Sequence, residues 1–526
     1  MSPPSEHPVF KDPLADVILR SADNVHFRLH KLVLYLASDF FGDMFSLPQP
    51  ARVSTAASPS SDPPHSDSET VDGLPVIPVT ESSAALENLF RLCYPMDDPP
   101  LQTIEQVRPT LEAALKYQMR SAVKTATDRL RSLASTAPLR VYAIAHKLSL
   151  ADVAAVARNS VRDQEVQNTY VDELEEISVD TYRRLLHYCT PFTATPSTPT
   201  SVTDAMAVWA AFERVQPPER PERLETIVSP MFDPEGAEVV ILTSDNFRFG
   251  ASQDILALSS PVFAAELSQE LSHRQPQRIP RIITVSVLAK DMLPLLEIYY
   301  PIPGPSFTLL SEIPSVYEAA NKYQMSKAMW YLRGELDKHV HGTSTNPVAL
   351  YFAACRLKMR RLAEDAARQT LRPERLLDGL EGADSFGVSA GCIWRLLEYH
   401  RQCKAAVHAL FDNSAAIRNV DNVMWISEEW KRKLQESRCS LRYWIYGPCW
   451  LEGYLDAMGK EEWPSGATAA SETVLGPKGA LQNTCNLCQT PASVFLMISF
   501  SKYVQEVLEK REREVQLLWM DSTVLA

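Results

Sequence analysis

The chain contains an internal duplication, and this limits its fold more than any other feature of the sequence. Residues 16–41 align without a gap with residues 238–263, at a shift of 222. The tetrapeptide KYQM stands at 116–119 and again at 322–325, at a shift of 206. Because the shift is smaller at the second match, the first copy has the longer loop between the two matches. A repeated unit of roughly 200 residues predicts two related domains.

Each copy has the pattern of a mixed α/β domain followed by helices. Residues 16–31 alternate apolar and polar positions around a DN turn, which predicts a β-hairpin with Val17, Leu19, Val25 and Phe27 in one core. The next segment predicts a helix and a second short helix from residue 39, with an apolar stripe at spacings of four. We expect that stripe to face the core; it consists of Leu32, Leu36, Phe40 and Met44 and is widened by Val33, Phe41 and Phe45.

A short β-like run and another helix complete this part of each copy. Ser83 is the predicted N-cap of the helix at 83–95, which would place Leu86, Leu89 and Phe90 inward. Amphipathic helical segments follow in both copies. The fold class is therefore α+β, with two α/β heads, an all-α extension after each head and a mostly helical C-terminal region.

Composition and charge argue against several classes of function. The formal net charge is −13, from 52 Lys and Arg against 65 Asp and Glu, which opposes binding to nucleic acid or to acidic membranes. Phosphate-binding glycine motifs and the G-x-S-x-G motif are absent from the sequence, and no segment predicts a signal peptide or a membrane span. We expect a non-enzymatic chain without a cofactor, in the cytoplasm or nucleus.

The order of elements and the motif residues resemble the BTB/POZ family. The matching pattern is DV at the first strand, F-x-x-H-K, L-x-x-x-S-x-x-F-x-x-M-F, a helix ending in Y-P, and A-x-K-Y-Q-M. The helices after each head are similar to the BACK-like extension of many BTB adaptors, and the whole chain resembles tandem-BTB proteins of fungi. The first copy carries these motif residues: Asp16, Val17, Phe27, His30, Lys31, Leu34, Ser38, Phe41, Met44, Phe45, Tyr94, Pro95, Lys116, Tyr117, Gln118 and Met119.

The duplication and the resemblance together define domain boundaries. We predict a disordered N-terminus at 1–13, a first BTB/POZ domain at 14–135 with a disordered insertion at 48–73, and a helical BACK-like extension at 136–215. A linker at 216–235 leads to a diverged BTB/POZ-like domain at 236–340. A second helical extension at 341–420 and a helical region rich in Trp and Cys at 421–526 complete the chain.

In the BTB/POZ family, the Asp of the first strand and the basic residue after the His line a charged pocket at the surface between paired domains. The resemblance implies that Asp16, His30 and Lys31 form this pocket in the first copy. The second copy has Glu238, Ser252 and Gln253 at these positions. This divergence fits a second domain that is a dedicated partner of the first, although drift after duplication explains it equally well.

Nine cysteines, an odd number without a secretory signal, favour reduced thiols over a disulfide framework. Four of them lie in the C-terminal region: Cys439, Cys449, Cys485 and Cys488. Their spacing permits a tetrahedral zinc site, but the first interval is wide for such a site. Ordinary thiols are favoured, and zinc or a redox-active pair remain alternatives, so no metal site is assigned.

The favoured function is a protein–protein interaction scaffold or adaptor. The resemblance implies a possible role in presenting substrates to a cullin-type ubiquitin ligase, and it implies BTB–BTB pairing. Because both heads lie in one chain, we expect that pairing to occur within the chain. A transcription-related regulator is an alternative, although no basic stripe or zinc finger supports it. An enzyme that assembles His146, His187 and Cys189 is a less favoured alternative.

Overall fold

The computed structural model describes residues 5–47, 70–161, 168–189, 232–269, 280–341, 346–371, 386–412, 420–437 and 447–519, the last range without 478, 483 and 487. The chain divides into two compact units. The first consists of Met1–Ile177 and Thr181–Thr190, and the second of Ser178–Asp180 and Pro191–Ala526. Each unit contains one head.

The sheet of the first head has the strand order β1-β3-β2-β5-β4. Its centre is the predicted hairpin of β2 and β3, in which Val17 pairs with Leu29, and β5 joins the other side of β2 in parallel. Val17, Leu19 and Phe27 are fully buried and Val25 is partly buried, as the alternation predicted. The strands are β1 (Ser5–Lys11), β2 (Val17–Arg20), β3 (Val25–Leu29), β4 (Thr70–Val71) and β5 (Leu74–Pro78).

The second head keeps the three central strands. They are β6 (Val239–Leu242), β7 (Arg248–Ala251) and β8 (Arg281–Thr284), in the order β7-β6-β8. β6 is antiparallel to β7 and parallel to β8, which repeats the pairing of β2 with β3 and β5. The duplication predicted from the sequence is therefore present in the strand topology.

The helices of the first unit also follow the predicted order. Two short helices come after the hairpin, one follows β5, and two antiparallel helices complete the head before the extension begins. They are α1 (Lys31–Ala37), α2 (Asp39–Ser46), α3 (Ser83–Arg91), α4 (Ile104–Lys116), α5 (Arg120–Ser132), α6 (Pro138–Lys147), α7 (Ala151–Val161) and α8 (Val179–Cys189).

The second unit repeats this order and continues into the C-terminal region. Its helices in the head and extension are α9 (Gln253–Ser259), α10 (Pro261–Gln269), α11 (Ala289–Tyr299), α12 (Glu312–Lys322), α13 (Ser326–His341), α14 (Pro347–Arg356), α15 (Arg360–Gln369) and α16 (Ala390–His408). Those of the C-terminal region are α17 (Glu428–Glu436), α18 (Cys449–Lys460), α19 (Gly466–Ala469), α20 (Glu472–Leu475) and α21 (Pro491–Glu514).

The repeated KYQM motif forms the turn between two helices in each head. Gln118 and Gln324 both have φ of +53°, a left-handed conformation that reverses the chain after α4 and α12. The amide of Met119 then donates to the carbonyl of Ala114 at 2.9 Å, as in a Schellman motif. Met119 and Met325 are buried, so the motif joins a helix end to the core.

Three local predictions were wrong. Residues 5–11 of the supposedly disordered N-terminus form strand β1, which pairs in parallel with β3. The predicted insertion at 48–73 ends in β4 and a turn from residue 70 onward, while 48–69 lie outside the described residues. The N-cap of α3 is Ser82, whose hydroxyl accepts from the Ala85 amide. The hydroxyl of Ser83 instead donates to the Asp23 carboxylate.

The predicted linker at 216–235 also contains part of the second head. Phe232 is fully buried, and its ring meets Tyr300 edge-on at 4.9 Å. Phe10 makes the same kind of contact with Tyr94 at 5.5 Å in the first head. Phe10 and Phe232 correspond under the same shift that aligns 16–41 with 238–263, so the second head begins at or before residue 232.

The C-terminal region shares a hydrophobic core with the end of the second helical extension, which contributes Val407 and Phe411. Trp450, Tyr454 and Phe500 are fully buried there, and Trp425 and Trp430 pack against them. Trp444 lies outside the described residues. No helix in the described ranges is both long and apolar enough to span a bilayer.

Candidate interaction face and thiol cluster

Asp16 holds the start of α1 in the first head. Its carboxylate accepts a hydrogen bond from the backbone amide of Lys31 at 2.7 Å. This satisfies one of the unpaired amides at the helix N-terminus, where negative charge is also favoured. The Lys31 ammonium lies over the Phe45 ring, 5.9 Å from its centroid. In this structure, Asp16 therefore acts on the backbone of Lys31.

His30 and Tyr94 lie beside this contact. The Tyr94 hydroxyl accepts from the His30 backbone amide at 2.9 Å and lies 3.4 Å from His30 Nδ1. His30 Nε2 is 3.6 Å from the Asp12 carboxylate. Burial raises the pKa of Tyr94 to about 12, so the hydroxyl stays protonated at neutral pH. The residues predicted to form the charged pocket are thus neighbours at the start of α1.

The second head keeps both hydrogen bonds to backbone amides but lacks the basic side chains of the first head. The Glu238 carboxylate accepts from the Gln253 amide at 3.1 Å, and the Tyr300 hydroxyl accepts from the Ser252 amide at 2.8 Å. The longer Glu side chain therefore takes the role of Asp16. The imidazole and the ammonium of the first head have no counterpart at Ser252 and Gln253.

Three of the four stripe residues, Leu32, Leu36 and Phe40, face solvent, which contradicts the prediction, whereas Met44 packs against the core as predicted. Leu32 is 68% exposed, Leu36 75%, Tyr35 53% and Phe40 40%. The core contains Leu34 and also Phe41, which belongs to the predicted stripe. Ser38 separates α1 from α2 in an extended conformation, so one continuous helical periodicity does not describe the segment. We call Leu32, Tyr35, Leu36 and Phe40 the apolar face.

A groove of about 610 Å³ adjoins the apolar face. Leu36 and Val33 form one side, and the turn at Met119 forms another. At this groove, the guanidinium of Arg120 pairs with the Asp39 carboxylate at 2.6 Å. Burial raises the pKa of the Cys93 thiol, which also lines the groove, to about 11. That thiol is therefore a weak nucleophile.

His146, His187 and Cys189, the residues considered for an enzyme site, lie in helices of the first extension. The His146 ring packs edge-on against Tyr142 at 4.4 Å. Burial lowers the pKa of His146, and the charges of Arg184 and Arg158 lower it further. His187 and Cys189 lie on α8. These contacts are those of a packed helical bundle, and the absence of catalysis stays a prediction.

Three of the four C-terminal cysteines converge. The sulfur atoms of Cys449, Cys485 and Cys488 all lie within 4.8 Å of one another. Cys485 and Cys488 are buried and Cys449 is half-buried. Cys439, the fourth residue considered for zinc, lies outside the described residues. The sequence grouped these cysteines as candidates by spacing, and the fold shows that Cys449 lies beside the C-x-x-C pair.

The two heads share one fold. Both have the same strand topology, the acidic contact at the start of the first helix and the KYQM turn between two helices. The family model of the BTB/POZ domain matches residues 8–133 and again residues 230–340. The chain thus carries two regions that match the BTB/POZ domain, consistent with a tandem BTB protein, and domains of this family generally mediate protein–protein interaction and dimerisation. A search of curated proteins gives no match to this chain.

Proposed function

We propose that this chain is an interaction scaffold or adaptor whose two BTB/POZ heads pair with each other within the chain. The observation that carries the proposal is the apolar face of the first head: Leu32, Tyr35 and Leu36 are exposed on one side of α1, and Phe40 is exposed on α2. A contiguous apolar patch of this kind marks an interaction site. The occupant to which we commit is the α9 face of the second head.

The charges of the two helices are complementary. α1 has the sequence KLVLYLA and carries one Lys, whereas α9 has the sequence QDILALS and carries one Asp, Asp254. A pair of first heads would bring two Lys31 side chains to one interface. Pairing the first head with the second brings opposite charges together instead, which favours this choice of partner.

The second head also offers a smaller apolar surface. Asp254 and Ala257 stand at the positions of Leu32 and Tyr35, while Leu258, 88% exposed, keeps the position of Leu36. Burying a large apolar side chain is worth about 1.5–3 kcal/mol. On area alone, two first heads from different chains would therefore bind each other more tightly than the two heads of one chain.

Covalent linkage of the two heads offsets this difference in binding free energy between the two kinds of pair. A linker that permits contact gives an effective concentration of about 1 mM, which exceeds a chain concentration of about 1 μM by a factor of about 1,000. This factor corresponds to about 4 kcal/mol in favour of pairing within the chain. At micromolar concentration or below, we therefore expect a monomer of 58.9 kDa.

A more specific form of the adaptor proposal is that the chain presents substrates to a cullin-type ubiquitin ligase. Its support is the order of elements, since each head precedes a helical extension such as those of BTB adaptors. Isothermal titration of the purified chain with a purified cullin-type subunit tests this form. Micromolar or tighter binding would support it. Absence of binding at about 100 μM would remove the ligase role and leave the pairing proposal intact.

Hydrogen exchange tests the pairing directly. In the full chain at about 1 μM, Leu36→Asp should speed exchange of the amides of α1 and also those of α9, because both helices lose their shared cover. Met424→Asp is the control, since Met424 is 95% exposed elsewhere in the chain. An effect of Leu36→Asp confined to the first head would contradict pairing between the heads.

A further inference from the structure

We propose that the thiols of Cys449, Cys485 and Cys488 bind a zinc ion that fastens the loop at 476–490 to helix α18. The three sulfur atoms lie within 4.8 Å of one another. Zn–S bonds of about 2.3 Å in a tetrahedron place the sulfur atoms about 3.8 Å apart. The three thiols therefore need only small side-chain adjustments to share one ion.

The local backbone favours the thiolate form that zinc requires. Cys449 is the first residue of α18, where the helix dipole stabilises negative charge. The backbone amide of Cys485 donates to the Cys449 sulfur at 3.3 Å. Such hydrogen bonds to a ligand sulfur stabilise its charge and fix its orientation. Zinc would also relieve the repulsion among three thiolates.

The C-x-x-C segment forms a tight turn next to α18. The Cys488 amide donates to the Cys485 carbonyl at 2.9 Å, which brings the two side chains to the same side of the loop. Further along α18, a Cβ on Gly453 would lie 2.7 Å from the Gly479 carbonyl oxygen. Gly453 thus allows the loop to lie directly on the helix that carries Cys449.

The surroundings of the thiols suit a structural ion. Cys485 and Cys488 belong to the same hydrophobic cluster as Trp450 and Phe500, so the site is shielded from water on that side. The loop at 476–490 has no helix or strand among its described residues. Ordering such a loop costs conformational entropy, which a metal ion can offset. Soft thiolate ligands select zinc over magnesium or calcium.

Metal analysis of the full chain, purified under reducing conditions, is the first test. We expect one zinc per chain, and less than about 0.1 zinc per chain in the double variant Cys485→Ser/Cys488→Ser. Cys403→Ser is the matched control, because Cys403 is also buried but lies on α16; it should keep one zinc. Zinc at unit stoichiometry in the double variant would overturn the proposal.

Cobalt binding to the wild-type chain is a second test, because the double variant would also lose zinc if it failed to fold. The wild-type chain, stripped of metal and titrated with Co²⁺, should show thiolate-to-cobalt bands and the visible bands of tetrahedral cobalt at one equivalent. No such bands, or a disulfide between two of the three cysteines in the freshly purified chain, would overturn the proposal. Cys439→Ser tests whether Cys439 is the fourth ligand: bands weakened by about a quarter indicate a fourth thiolate, and unchanged bands show that the fourth ligand is not Cys439.

Discussion

The Ser38 hydroxyl donates a hydrogen bond of 2.5 Å to the carbonyl oxygen of Tyr117, 79 residues further along the chain. The same hydroxyl accepts from the amide of Phe41 at 3.0 Å and so caps α2. In the second head, Ser260 makes both bonds in the same way, to Tyr323 and Phe263. One serine in each head therefore connects the second helix after the hairpin, α2 or α10, to the KYQM turn.

Replacing this serine should destabilise the first head. Ser38→Ala leaves a buried carbonyl unsatisfied and removes an N-cap, so we expect a loss of about 2–3 kcal/mol in the free energy of unfolding. Chemical denaturation followed by circular dichroism measures the change. Ser46→Ala is the control, because Ser46 is exposed at the end of α2. If Ser38→Ala changed stability no more than Ser46→Ala does, neither bond would matter.

The two heads differ in the acid that holds the first helix, which gives a second prediction. Asp16→Ala should destabilise the first head by about 1–2 kcal/mol, since the Lys31 amide loses its acceptor. Asp16→Glu should cost less than about 0.5 kcal/mol, because Glu238 makes the equivalent bond in the second head. Equal losses for the two variants would contradict a capping role.

A buried carboxylate lies where the first head meets its helical extension. Glu173, 3% exposed, accepts two hydrogen bonds from Arg140, at 2.7 and 2.9 Å. Arg140→Ala leaves this charge poorly compensated, so we expect a loss of about 2–3 kcal/mol in unfolding free energy. Arg131 forms exposed ion pairs, and Arg131→Ala should change stability by less than about 0.5 kcal/mol. A loss for Arg140→Ala no larger than this would contradict the buried role.

His400 predicts a dependence of stability on pH. Its Nε2 lies 2.7 Å from the Thr370 hydroxyl, its ring meets Trp463 edge-on, and burial lowers its pKa from 6.5 to about 4. The unfolded chain therefore takes up a proton near pH 6.5, before the folded chain does. The resulting stability is present above pH 6.5 and is lost as pH falls toward 4, by about 2 kcal/mol at pH 5.

His400→Gln isolates this contribution from those of the other histidines. The difference in unfolding free energy between pH 7 and pH 5 should be smaller in the variant than in the wild type, by about 2 kcal/mol. His408→Gln is the control, because His408 is only half-buried at the end of α16. An identical pH dependence in His400→Gln and the wild type would contradict the assignment.

Strand alternation and the repeat predicted the architecture because both are set by local sequence. Val17, Leu19 and Phe27 had to share a face, and their burial follows from a period of two. Strand β1 was missed because its polar and charged residues give no clear alternation, and its pairing with β3 is non-local. Phe232 was missed because only its long-range contact with Tyr300 distinguishes it from a linker residue.

The apolar face shows a limit of periodicity. A spacing of four correctly placed Leu32 and Leu36 on one side of α1, but an apolar stripe on a helix can face the core or a partner. Only the exposure of these residues decides between the two. Sequence spacing is equally unable to show that the thiols cluster. Cys449 and Cys485 are far apart in the sequence, and their proximity depends on tertiary packing.

Pairing of the two heads within one chain is tested most directly by photo-crosslinking. A benzophenone amino acid replaces Leu36 in the full chain at about 1 μM, with Lys124, an exposed residue of α5, as the control position. We predict a crosslinked product with the mass of one chain, 58.9 kDa, in which residue 36 is joined to a peptide that contains 253–262. A product with the mass of two chains, joined through 31–40 of both, would contradict pairing within the chain.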